Sequence, residues 1–192
     1  RVQHPRTLRV TDTQAHQEQV HERVLSWYAA HGRDLPWRRP EATPWGIYVS
    51  EIMAQQTQIS RVAERFPAFL RQFPTPTHLA RADEREVMAA WAGLGYYRRA
   101  RLLHNCAKAI VERHAGAVPT DPAALRALPG IGRYTAGAVA SIALHQPEPI
   151  VDGNVTRVFM RVHARPGTGR DSKGAAWAWA RAGEYARAST SP

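Results

Sequence analysis

The stretch LPGIGRYTAGAVA, residues 128–140, decides how this chain reads. Gly130 and Gly132 bracket one isoleucine, and beyond them a series of small residues suits a tightly packed helix. Upstream, Asp121 and Pro122 suit the cap and first position of a short helix reaching Leu128: the aspartate accepts orphan backbone N–H groups, and proline has none to orphan. The pattern is helix, tight glycine turn, helix. Both glycines permit φ > 0, and the turn's N–H groups together with the next helix N-terminus suit a phosphate oxygen. Such a contact grips nucleic acid without reading its sequence. The same glycines also suit a helix connection that is simply tight, and spacing alone does not choose. Tyr134, two positions after the last glycine, is the bulky residue among small neighbours.

Working outward, helical spacing recurs throughout, and no segment sustains an alternation of β-branched residues between turn residues, so the expected fold class is all-α. Val20, Val24, Trp27 and Tyr28 fall at i, i+4, i+7 and i+8, predicting one apolar face on a helix from Gln14 to His31 that Gly32 ends. A loop with three prolines, GRDLPWRRPEATPWG, leads into a second helical run, IYVSEIMAQQTQISRVAERF, which Pro67 is expected to interrupt or bend. Asp83 with Glu86 has the form of a capping box, and Gly93 is the expected stop. YYRRARLLHNCAKAIVERHAG reads as the next helix, another begins near Asn154, and Ser172 is the expected cap of the last. There is no internal repeat. The expected organisation is an N-terminal segment and helix (1–35) packing on a second lobe, a helical core domain (36–146), and a partial C-terminal lobe (147–192), hinged at the proline-rich residues 146–149.

Lys and Arg number 26 against 16 Asp and Glu, a formal charge of +10, which favours an anionic partner such as nucleic acid without choosing it. No apolar run approaches the roughly 20 residues of a membrane span, and RVQHPRTLRVTDTQ lacks a signal peptide's apolar centre, so the expectation is a soluble, cytoplasmic chain. The single cysteine, Cys106, excludes an internal disulfide and a cysteine-only metal site, and is expected to be a small core residue. The nine histidines show no HxxxH or HExxH spacing. The chain opens on Arg1, which predicts a fragment or a processed form.

Twenty residues beyond Gly132 the chain reads PIVDGNVTRVFMR, with Asp152 after an apolar triplet. Hairpin, linking loop and aspartate thus stand in order over residues 128–161, and here the sequence resembles the helix-hairpin-helix, Gly-Pro-rich loop, aspartate superfamily of base-excision DNA glycosylases. PWGIYVSEIMAQQTQISRV and WAGLGYYRRARLLH resemble its adenine-specific MutY-type branch, and the likeness runs from about Trp27 to Val162. The resemblance implies two helical lobes with the active site between them, the second lobe incomplete here. It also implies removal of adenine mispaired with 8-oxoguanine or guanine, by hydrolysis of the N-glycosidic bond. That chemistry needs an acid to make the base a leaving group and a negative charge beside the oxocarbenium-like sugar. Glu51 and Asp152 match the family's two carboxylates. Val49, Ile52 and Met53 around Glu51 predict a raised pKa, and a helix N-terminus after Asp152 favours its ionised form.

The resemblance further places Tyr134 and Asn154 near the leaving base or sugar, and Gln56, Thr57, Leu94 and Tyr96 at positions of intercalation and contact with the opposite base. It places Trp37, Arg38 and Ile59 in the adenine-pocket wall, and Gly130 and Gly132 against DNA. Gln56 and Thr57 also read as a polar break between two helices, and Leu94 and Trp37 as core. Arg98, Arg99 and Arg101 follow the tyrosines and predict a stripe along the phosphate backbone; a basic run is otherwise a solvated face. In the lyase branch the position of Tyr134 is a lysine nucleophile, and a phenol cannot form an imine, so the implied enzyme is monofunctional. Family members continue with four closely spaced cysteines that bind a [4Fe–4S] cluster. These ligands are absent from the 192 residues, so no cofactor is expected in this chain, and Trp177, Trp179 and Tyr185 are the apolar residues available to pack the lobe instead. The expected partner is double-stranded DNA with an adenine mispair, bound by a monomer and with no membrane. An endonuclease-III-like pyrimidine glycosylase and a non-catalytic DNA-binding remnant are the alternatives.

Overall fold

The computed structural model describes residues 14–169 and 171–188, which are helical, with no strand among the described residues. Among the described residues ten α-helices follow in order: α1 (Gln14–His31), α2 (Pro44–Ala54), α3 (Ile59–Gln72), α4 (Pro76–Arg81), α5 (Glu84–Ala90), α6 (Arg98–His114), α7 (Pro122–Arg126), α8 (Arg133–Ala138), α9 (Gly153–Val162) and α10 (Ser172–Ala188). A 3-10 turn, Pro36–Arg38, precedes α2, and a π-helical turn, Val139–Ala143, continues α8. The chain divides into two compact units, one formed by residues 33–149 and the other by the segments on either side of it. None of the described helices is long and apolar enough to cross a membrane.

In the unit of residues 33–149, α2 sits deepest. Thr43 caps it by accepting from the Gly46 N–H at 3.0 Å, Pro44 fills its first turn, and its apolar residues occur all round, so eight of its eleven residues are buried. The core around it draws Val62, Phe66 and Phe69 from α3, Leu79 from α4, Val87 from α5, and Leu103, Cys106 and Ile110 from α6. The capping box at α5 forms as the sequence predicts, with Asp83 accepting from Arg85 N at 2.7 Å and Glu86 accepting from Asp83 N at 3.1 Å. Cys106 is fully buried, as a small core residue should be.

The break in the second helical run falls elsewhere than expected. Pro67 lies inside α3, and the chain leaves the helix at residues 55–58, where Gln56 adopts φ +55° and Gln58 is extended. A proline removes one N–H donor, whereas a left-handed residue redirects the whole backbone. A second correction concerns α10: Asp171, not Ser172, accepts from the Gly174 N–H at 2.8 Å and its backbone carbonyl accepts from Ala175.

In the other unit, α10 packs on α9 and on α1. Val151, Ala178 and Ala182 form its small core, with Val155, Phe159, Trp177 and Trp179 packed against it and the Tyr185 ring edge-on to Phe159 at 5.2 Å. The predicted apolar residues of α1 share one helix, but Val24, Trp27 and Tyr28 are exposed, and Trp27 stacks on His31 at 4.9 Å. Stability should therefore differ sharply between the two units' apolar positions. Leu103→Ala is expected to cost about 2–5 kcal/mol, whereas Val24→Ser changes stability by less than about 0.5 kcal/mol, as read from urea unfolding midpoints at constant m.

Candidate active site

Glu51 is the single charged residue of α2, and both of its sequence neighbours, Ser50 and Ile52, are buried. Helix α8 and the π turn pack directly on α2. This brings Tyr134, the second residue of α8, to the carboxyl of Glu51, which accepts a hydrogen bond from its side chain. The guanidinium of Arg38, at the end of the 3-10 turn, lies close enough to act on the same carboxyl through its charge. Burial raises the Glu51 pKa above its ordinary value of 4.5, and the Tyr134 hydrogen bond and the Arg38 charge pull it back only in part. Tyr134 itself is 39% exposed, so the pair is reachable from solvent. Of the residues expected in the pocket wall, Arg38 is exposed beside Glu51 and Ile59 is half-buried at the start of α3. Trp37 lies on the core side. Its ring is buried, edge-on to Phe66 at 5.3 Å, because the 3-10 turn folds it into the core.

A second cluster forms where α2 ends. Gln56 and Tyr96 are both exposed and both left-handed, at φ +55° and +46°, and with Thr57, Gln58, Arg61 and Gly95 they line a hollow of about 370 Å³. Thr57 Oγ1 donates to the Leu94 carbonyl at 3.3 Å, joining the two loops. Two expectations are corrected here. The Leu94 side chain is 4% exposed and belongs to the core, so only its carbonyl serves the loops. Arg99 does not lie along the surface: it is 7% exposed, and its guanidinium donates to the carbonyls of Ile52 and Met53, both at 2.8 Å, and to Thr57 Oγ1 at 2.9 Å. Arg98 is exposed as predicted, while Arg101 pairs with Glu84 at 2.8 Å. The sequence does hold a signal for Arg99, since it shares the stripe of Leu103, Cys106 and Ile110 along α6 at i, i+4, i+7 and i+11.

The hairpin turn uses its glycines unequally. Gly130 adopts φ +78°, and Leu128 and Ile131 are buried on either side of it, anchoring the turn. Gly132 does not use that freedom: it is extended at φ −85° as the cap of α8, and a Cβ added there would meet nothing within 4 Å. The space beside Gly132 is open, so a backbone N–H there is approachable from outside.

In the other unit Asp152 caps α9. Its Oδ1 accepts from the N–H groups of Asn154 at 2.8 Å and Val155 at 2.7 Å, and its Oδ2 accepts from Asn154 Nδ2 at 2.9 Å. Asn154 Oδ1 in turn accepts from Arg157. The carboxylate is thus fixed by three donors, and the residue is half-buried.

A profile of the HhH-GPD superfamily of base excision DNA repair proteins matches residues 49–181, which include the second half of α2 with Glu51, the hairpin and the Asp152 helix. The chain belongs to this superfamily. Among its relatives, an adenine DNA glycosylase of Mycobacterium tuberculosis (strain CDC 1551 / Oshkosh) is 49% identical over 150 residues, covering 78% of this chain and 49% of the relative. A human adenine DNA glycosylase is 46% identical over 149 residues, covering 73% and 27%. The chain spans about half the length of the mycobacterial relative, and less of the human one. Among solved structures, a thermostable thymine-DNA glycosylase superposes with a TM-score of 0.77 at 23% identity, covering 88% of this chain and 77% of that one. An endonuclease III bound to DNA in a trapped covalent intermediate gives 0.68 at 20%, covering 91% and 84%. These two likenesses establish the helical fold.

A [4Fe–4S] cluster requires four thiolates. The one cysteine, Cys106, is fully buried in the core of the 33–149 unit, and no group of three or more His, Cys, Asp or Glu among the described residues is placed to hold a metal. These residues do not fit the cluster, and no chemical step is assigned to it.

The buried Glu51 carboxyl has a stability signature. Because its folded pKa is raised, its contribution to stability is full below about pH 4.5 and is lost as pH rises through the folded value. Glu51→Gln is therefore expected to raise the melting temperature at neutral pH by about 2–4 °C, with the gain shrinking as pH is lowered toward the ordinary glutamate range. Thermal scans of both proteins across that range check it; a gain that grows at low pH has the wrong sign.

Proposed function

We propose that this protein is a monofunctional adenine DNA glycosylase of base excision repair, acting on duplex DNA at adenine opposite 8-oxoguanine or guanine. The observation that carries the reading is a half-buried carboxyl with a raised pKa, Glu51, hydrogen-bonded by a phenol, Tyr134, on the hairpin helix. The similarity to proteins named adenine DNA glycosylase supports the choice of base. The lesion base lies inside a stack, so the nucleotide has to be extruded before any side chain reaches it. Glu51, whose proton is held more tightly because of burial, gives it to adenine N7. The C1′–N9 bond then breaks with its electron pair going to the base. The sugar is left as an oxocarbenium-like cation, which the fixed Asp152 carboxylate stabilises. Water adds at C1′, and its proton returns to Glu51, restoring the acid. Tyr134 offers a hydroxyl that donates to the Glu51 carboxylate when it forms, and Arg38 supplies positive charge beside it. Gly132 and the open space around it suit a phosphate oxygen, and Gln56, Thr57 and Tyr96 suit the gap and the opposite base.

A duplex carrying one adenine opposite 8-oxoguanine should lose adenine when incubated with the protein. Glu51→Gln should slow single-turnover release by about 10²-fold or more, and the wild-type rate should fall as pH rises past the raised Glu51 pKa. Borohydride should trap no covalent enzyme–DNA adduct, because no amine stands where Tyr134 does. An unchanged rate in the Gln variant removes Glu51 from the acid's role. Binding of the lesion duplex with no base release by the folded wild type would leave a DNA-binding protein without catalysis.

A further inference from the structure

We infer that Arg99 is the positioning residue of the opposite-strand contact: a buried guanidinium that locks the Gln55–Gln58 turn to the Leu94–Tyr96 loop. This inference rests on the reading of the protein as a DNA glycosylase acting on duplex DNA. Arg99 Nη1 donates to the carbonyls of Ile52 and Met53 at 2.8 Å each. These belong to the last turn of α2, whose carbonyls have no helical partner and carry the negative end of the helix dipole. Nη2 donates to Thr57 Oγ1 at 2.9 Å on the turn that follows, and to the carbonyls of Leu94 at 3.0 Å and Gly95 at 3.2 Å on the other loop. Only Nε lacks a partner among the described residues. The guanidinium carbon also lies over two rings, 5.5 Å from the centroid of Trp91 and 5.4 Å from that of Tyr96. One side chain therefore fixes three things at once: the end of α2, the turn carrying Gln56, and the ring of Tyr96.

Two features make this a device for spacing rather than generic core packing. Gln56 and Tyr96 are exposed non-glycine residues at φ +55° and +46°, conformations that persist only where the surroundings impose them. Arg99 touches both loops and no acid is among its hydrogen-bond partners, so its charge is spent on backbone carbonyls at the base of the two protruding residues. A lysine cannot reproduce this, because its three donors radiate from one nitrogen and do not span both loops.

The test uses a duplex with a non-cleavable tetrahydrofuran abasic analogue opposite 8-oxoguanine as binding probe, and adenine opposite 8-oxoguanine as substrate. Arg99→Met and Arg99→Lys are expected to weaken probe binding about tenfold or more while adenine release at saturating protein stays within about threefold of wild type, a loss in KM and not in kcat. The slope of log Kd against log salt should stay as in wild type for both variants, since Arg99 touches no phosphate, whereas Arg98→Met should reduce it by about one. Where the methionine variant does not fold, the lysine variant decides. Folded Arg99 variants that bind within about twofold of wild type overturn the inference, and so does a reduced salt slope, which would place the guanidinium on the phosphates. Wild type that binds the probe without releasing adenine defeats the enzymatic reading alone, and the binding comparison still decides the role of Arg99. Wild type that binds no duplex at all defeats both.

Discussion

The desolvation of one carboxyl organises the unit of residues 33–149. Helix α2 is apolar nearly all round and touches α3, α6, α8, the 3-10 turn and the π turn, yet its third turn carries Glu51. A charge taken from water costs free energy unless it is paired, and the least costly response for a half-buried glutamate is to hold its proton. The neighbours moderate that response without cancelling it: Tyr134 donates a hydrogen bond, and Arg38 supplies charge from the exposed side. An ion pair deep in the core would have forced Glu51 to stay ionised. A purely apolar pocket would have left its ionised form with no hydrogen-bond donor and no nearby positive charge.

The same helix creates the second constraint at its other end. Its last carbonyls are buried and unpaired within the helix, and Arg99 from α6 meets them. Because that guanidinium also reaches the Leu94–Gly95 carbonyls, the two left-handed residues, Gln56 and Tyr96, are set on one rigid base. Burying an arginine here is tolerable because its donors face carbonyl dipoles and two aromatic rings. Strain and cation thus occupy the same few residues, and the compact α3–α6 core around them supplies the rigidity that both need.

The helices were legible because their signals are local. Gln14–His31 and the Asp83–Glu86 capping box follow from spacing and cap chemistry alone, and the Gly130 turn follows from a residue that tolerates φ > 0. What depends on distant partners was less legible. Arg98, Arg99 and Arg101 look alike in sequence, yet one is exposed, one is buried in a cage of carbonyls and one pairs with Glu84 seventeen residues earlier. Pro67 is a conspicuous helix breaker, but the redirection at Gln56 requires tertiary contacts with Leu94 and Arg99 that no propensity encodes. Leu94 and Trp37 fall on the core side for the same reason: burial is decided by what packs over a loop residue, and neither loop has a periodicity to read. In the candidate site, Glu51 and its raised pKa were foreseeable from apolar neighbours, whereas the Tyr134 hydrogen bond that tempers it arises only when α8 packs on α2.

The two carboxylates are held by opposite means, and that contrast is chemically meaningful. Glu51 is surrounded by apolar residues and tempered by one phenol, which favours the protonated acid. Asp152 accepts three N–H donors from the first turn of α9 and from Asn154, which fixes its orientation and leaves it an acceptor. Under the reaction proposed above, the first arrangement suits a proton donor and the second a fixed anion. The Tyr134 hydroxyl is engaged with Glu51, so the residue that stands out in sequence among small neighbours is tied to that carboxyl. A phenol there donates a hydrogen bond to the ionised form of the carboxyl, which moderates the rise in pKa that burial imposes.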